Sequence, residues 1–153
     1  MNNFKKITII CFIALLTSCG FKPLLSNKES SFTIKKIDYS GEERLNYLII
    51  NKLETYKNLK NKDISYKLNI NTISNKLVTS KDTKGNSKTF RYEISSVLII
   101  NQNNKPVINK TIKKNFSYNN LSNKFELKKY EEKIMKNLTN EVFLDILNIL
   151  RSI

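Results

Sequence analysis

Among the side chains able to do covalent chemistry, Cys19 stands out by position. It follows an apolar run and two small residues, Thr17 and Ser18, and the only other thiol, Cys11, lies inside that run. Small neighbours let a protease approach the backbone on the amino side, while the sulfur is free to take a lipid. The 153 residues contain no His. Zinc centres, nucleophiles served by an imidazole and thiol redox cycles need groups that are missing here. Only carboxylate or lysine chemistry is left open, so neither an enzyme nor a cofactor nor a metal is expected.

The surroundings of Cys19 have the layout of an export signal. Met1-Asn2-Asn3-Phe4-Lys5-Lys6 is a positive opening, Ile7 to Leu16 is a short apolar segment, and Leu16-Thr17-Ser18-Cys19 closes it. The apolar segment falls well short of the roughly 20 residues a membrane-spanning helix needs. The closing box resembles the bacterial lipobox, which implies that residues 1–18 are removed and that Cys19 carries the lipid. One buried acyl chain binds a membrane only marginally at roughly 0.8 kcal/mol per CH₂, so the several chains of a mature lipoprotein make release negligible. Gly20 stands where, in the sorting rule of enteric lipoproteins, an Asp favours inner-membrane retention. Its absence points to the outer membrane. Residues 19–31, with one Pro among polar residues, read as a tether into the fold.

The formal net charge is +14, and the excess persists when Lys5 and Lys6 leave with the signal. A charge of this sign favours anionic partners. Lys, Asn and Ile are abundant together, however, as a coding sequence biased toward A and T also produces, so the charge alone selects no ligand. Nucleic acid is not an expected partner for an exported, tethered domain.

Residues 32–153 carry the pattern of one domain, with 40% hydrophobic residues in the chain sufficient for a single core. Phe32 to Tyr39 is β-branched and aromatic and ends at Ser40-Gly41, which predicts a strand. Leu45, Leu48, Ile49, Leu53 and Tyr56 recur at helical spacing behind the acidic start Glu42-Glu43. Ile64, Tyr66, Leu68 and Ile70 alternate with Ser65, Lys67, Asn69 and Asn71, the period of a strand with one wet face. The stretch from Lys81 to Lys88 holds a turn at Gly85-Asn86. Phe90, Tyr92, Ile94, Leu98 and Ile100 then share one face of a long strand. A tight turn over 101–105 leads to a fourth strand, with Ile108, Ile112, Phe116 and Tyr118 in one parity. From about Phe125 to Leu150 a helix carries Tyr130, Ile134, Leu138, Val142, Ile146 and Ile149 on one side, widened by Phe143, Leu144 and Leu147. The order β-α-β-β-β-α predicts an α+β two-layer sandwich: a mainly antiparallel four-stranded sheet with two helices on one face. The other sheet face, with Lys67, Asn69, Asn71, Arg91, Glu93 and Ser95, is left for water or a partner.

Cys19-Gly20-Phe21-Lys22-Pro23-Leu24, Thr89-Phe90-Arg91-Tyr92, the Asn104-Lys105 turn, Phe116-Ser117-Tyr118 and the long terminal helix, taken in this element order, resemble the LPS-assembly lipoprotein (LptE) family in its alphaproteobacterial form. The resemblance covers the whole chain after the signal. It implies a lipoprotein on the periplasmic side of the outer membrane that binds and plugs the LptD β-barrel, assists its folding, and binds lipopolysaccharide in transit. A plug needs a polar, hydrogen-bonding surface for a polar lumen, which the open sheet face would supply. The phosphates and acidic sugars of lipopolysaccharide are held by Arg and Lys. The expected contributors are Lys81, Lys84 and Lys88 in the strand-joining loop, with Arg91 and Lys136, the last two matching basic positions of the family. Lysines in such places are also ordinary solvated surface.

Two other readings compete. An envelope adaptor lipoprotein, such as a transporter's auxiliary subunit or a secretin pilot, would share the anchor and the small domain. A hydrolase built on paired carboxylates is disfavoured, since Glu131 and Glu132 are read as serving a helix start.

Overall fold

A computed structural model describes residues 30–153. The signal over 1–18, Cys19 and nearly all of the tether lie outside the described residues. The elements are β1 (Phe32–Gly41), α1 (Glu43–Leu53) with a 3-10 turn (Glu54–Tyr56), β2 (Ile64–Lys81), β3 (Ser87–Gln102), β4 (Lys105–Asn119) and α2 (Lys124–Ser152). The order is the one read from periodicity. The first helix differs at its end: the α-helix stops at Leu53 and Tyr56 falls in the 3-10 turn, where its ring stacks on Phe32 at 5.8 Å.

The sheet runs β1-β2-β3-β4, with β2, β3 and β4 an antiparallel meander and β1 parallel to β2. Parallel neighbours need a crossover, and α1 supplies it. Ile34 pairs with Tyr66 and Lys36 with Lys67, so Lys35 is the extra residue of a bulge. Before the bulge Phe32 and Ile34 are buried; after it Ile37 keeps company with Leu68. Both hairpin turns use residues that tolerate a left-handed backbone. Asn103 and Asn104 have φ 51° and 62°, as a two-residue hairpin turn demands. At the other tip Gly85 has φ 83° and the Asp82 carboxylate accepts the Lys84 and Asn86 amides at 2.9 and 2.8 Å.

Both helices lie on one face. Leu45, Ile49 and Leu53 of α1 and Ile134, Leu138, Val142, Ile146 and Leu150 of α2 join Tyr66, Leu68, Ile70, Ile94, Leu98 and Ile100 of the sheet in one buried core. α2 starts on Asn123, whose side-chain oxygen accepts from the Phe125 and Glu126 amides and so satisfies two otherwise orphaned donors. The link from β1 to α1 turns on Gly41, with φ 87°. A β-carbon there would sit 2.3 Å from the Thr72 carbonyl oxygen, so only glycine fits. Asn46, fully buried, binds this link by donating to the carbonyls of Ser40 and Glu42 at 2.6 and 3.0 Å.

Two apolar positions depart from the expected stripes. Tyr130 is 38% exposed and Phe116 is 45% exposed, because α2 passes β4 without covering its outer margin. The middle of the core face in turn contains a pair of fully buried aliphatic hydroxyls, Thr72 and Ser96, which are register partners and bond to each other at 2.9 Å.

Candidate functional site

The face of the sheet away from the helices is open. Its cross-strand rows follow from the register: Asn69 with Ile99 and Asn109, Asn71 with Val97 and Thr111, Ile73 with Ser95 and Lys113, Asn75 with Glu93 and Asn115, Leu77 with Arg91 and Ser117. Most of these side chains are neutral hydrogen-bonding groups, as expected. Apolar positions punctuate them: Ile73 is 55% exposed, Leu77 39%, and Val97 and Ile99 are half-buried. A shallow trough of about 460 Å³ lies over Val97 and Ile99, walled by Asp38, Ser40, Asn69 and Asn71. Val97 and Ile99 share the outward parity of Arg91, Glu93 and Ser95, but the apolar run Val97-Leu98-Ile99-Ile100 has no alternation to mark them as outward-facing.

Arg91 projects from this open face. Its guanidinium lies 3.7 Å from the Glu93 carboxylate and 3.5 Å from the Ser117 hydroxyl, both long contacts that leave most of its donors unused. Lys81 ends β2, Lys84 sits in the turn and Lys88 is the second residue of β3; all three are exposed at the hairpin tip and make no ion pair among the described residues. The structure therefore groups Lys81, Lys84 and Lys88, with Arg91 a short way down the same hairpin. Lys136 is exposed on the outer side of α2, across the sheet from Arg91, so these two are not brought together. Hydrogen bonds from the Asn86 side chain and backbone, with that of the Lys84 amide, hold the Asp82 carboxyl below its ordinary range and keep the tip folded.

A second cluster ties the hairpin to α2. Glu131 stands two turns inside α2, not at its start, and does not serve the helix dipole. Its Oε1 accepts from Lys76 Nζ at 2.5 Å and from the Tyr118 hydroxyl at 2.8 Å. Lys76 also lies 4.1 Å over the Phe90 ring, and Phe90 packs on Tyr118. Burial, with the bond to and charge of Glu131, raises the Tyr118 phenol well above its ordinary range. The partners are 55 and 13 residues apart in the chain, and no local spacing signals them. Among the described residues no group of His, Cys, Asp and Glu gathers to hold a metal ion, and no helix is long and apolar enough to cross a membrane.

The entry of the chain into the sheet and the basic hairpin tip lie at opposite ends of β2. Phe32 pairs with Ile64 at the start of β2, so the chain enters at the end opposite the basic hairpin tip. At about 3.3 Å per residue the length of β2 separates them by roughly 55 Å.

No family model and no curated protein matches the sequence. Solved structures do match the fold. Rare lipoprotein B from Shewanella oneidensis superposes with a TM-score of 0.61 at 14% identity, over 77% of this chain and 95% of that one. A minor lipoprotein from Acinetobacter baumannii gives 0.60 at 10% identity, over 78% and 91%. Lipoprotein B from Nitrosomonas europaea gives 0.59 at 12% identity, over 82% and 88%. At such identities what is shared is the fold, and the fold of this chain is that of these bacterial lipoproteins.

Proposed function

We propose that the chain is a lipoprotein held by Cys19 on the periplasmic face of the outer membrane, where it plugs an LptD-type β-barrel and assists its assembly and the passage of lipopolysaccharide. It acts by binding and catalyses no reaction of its own. The observation that carries the reading is the open sheet face, a layer of Asn, Ser and Thr with few charges, built on a fold shared with lipoproteins. A polar barrel lumen is satisfied by such a surface, because each hydrogen bond lost to water on docking is replaced. The basic hairpin end, Lys81, Lys84, Lys88 and Arg91, holds the anionic groups of lipopolysaccharide by charge-assisted bonds. Lys136, on the other side, adds a separate contact.

Purifying the tagged protein from detergent-solubilised envelopes tests this directly. A large β-barrel should co-purify with it, and the native product should carry acyl chains on Cys19 with residues 1–18 gone. A preparation that brings no barrel with it rejects the reading in favour of an adaptor for another machine. Arg91→Asp should weaken lipopolysaccharide binding in vitro with the fold intact; unchanged binding would make Arg91 ordinary surface.

A further inference from the structure

We infer that the outer edge of β4 is a docking site for an extended, acidic segment of another protein. β4 is the last strand of the sheet, and among the described residues no strand or loop bonds to the backbone on its far side. Its sequence contains Lys105, Lys110, Lys113 and Lys114 and no acidic residue; Lys114 is paired with Asp145 of α2 at 2.9 Å, which leaves the other three as the positive charge of the edge. Lysines and a Pro on an edge ordinarily discourage pairing. They do so by charge, and charge discriminates among partners. A second copy of this chain would bring the same lysines against themselves, whereas a strand carrying Asp or Glu would be attracted.

Edge protection also does not account for what lies beside the edge. Between β4 and α2 is a cleft of about 170 Å³, room for one large side chain, floored by Ile134 and Leu138, flanked by Phe116 and Tyr130 and rimmed by Lys133, Asn137 and Glu141, so it takes an apolar side chain and not an acidic one. Phe116 and Tyr130 are the two aromatic residues that leave the core stripes and stand partly in solvent, and they do so here. A strand added to β4 would place alternate side chains over this cleft and over the open sheet face. Main-chain bonds would give the affinity, one apolar side chain in the cleft the register, and acidic side chains on the open-face side, near Lys113, the selectivity.

The test uses two end-capped eight-residue peptides, one alternating Asp with Phe and Val and its counterpart with Lys in place of Asp, titrated into the isotope-labelled protein. The aspartate peptide should shift amides over 109–118 and 130–141, saturably. Lys113→Glu, exposed and on the open face, should weaken it several-fold and improve the lysine peptide. Lack of saturable binding, equal binding of the two peptides, shifts confined to β1 or to the open face, or self-association through β4 would each overturn the inference.

Discussion

The two faces of the β2–β4 sheet are made from the same strands and differ in what they contribute to the fold. In β3, Ile94, Leu98 and Ile100 are fully buried under the helices, while Glu93, Ser95, Val97 and Ile99 on the other face keep part of their surface in water. One face is closed, and at its centre the fully buried hydroxyls of Thr72 and Ser96 bond to each other. The opposite face offers many hydrogen-bonding groups and satisfies few of them within the protein. Burial does the folding on one side and leaves the other in water, a division that antiparallel sheets commonly make.

Truncation of a single apolar side chain should separate the faces most sharply. Leu98→Ala removes a core side chain and should cost about 2–5 kcal/mol in denaturant unfolding. Ile99→Ala, one residue away, should cost under about 1 kcal/mol, within the range of surface substitutions. Equal losses would mean that the open face also stabilises the monomer. Next in size is the hydroxyl pair. Thr72→Val strands the Ser96 hydroxyl in the core and should lose about 1–3 kcal/mol, most of it regained in the double variant Thr72→Val/Ser96→Ala. A double variant as unstable as the single one would show that the pair is not an isolated unit.

Smaller again is Tyr118→Phe, which takes one donor from Glu131 and leaves Lys76 in place. A loss of about 1 kcal/mol is expected, against no measurable change for Ser117→Ala on the open side of the same strand. The least effect belongs to the hairpin tip. Because the Asp82 carboxyl is held below its ordinary range, its contribution is complete above the unfolded-state value near about 4 and fades as pH falls through the lowered folded value. Protection of the Gly85 and Asn86 amides, measured relative to the intrinsic exchange rate at each pH, should fall at low pH before that of any core amide. Simultaneous loss of core and tip would contradict the independence of the tip.

Much of this division was legible in the sequence. Strict alternation over 64–71 announced a half-wet strand, and the three-and-four spacing of both helices announced their covered faces. The order of elements followed, and with it the antiparallel meander. Pairing across the chain was not legible. The bulge at Lys35 resets the parity of β1 only because β2 lies beside it, and Thr72 and Ser96 look like two unrelated breaks in apolar stripes until the register joins them. The candidate site was legible in composition and less so in geometry. Lys81, Lys84, Lys88 and Arg91 do share the hairpin, since they are near neighbours in sequence, but Lys136 belongs to the opposite layer, which depends on how α2 crosses the sheet. Glu131 was assigned to the helix dipole because its two partners come from strands remote in the chain.

The parallel alignment of β1 with β2 has a mechanical side. Tension applied ahead of Ser30 while the hairpin tip is held would drag β1 lengthwise past its neighbour, loading the rungs from Phe32 to Gly41 together instead of peeling them one by one. An antiparallel first strand entering from the tip end would unzip under the same load. The domain is built to resist being pulled out by its leading end.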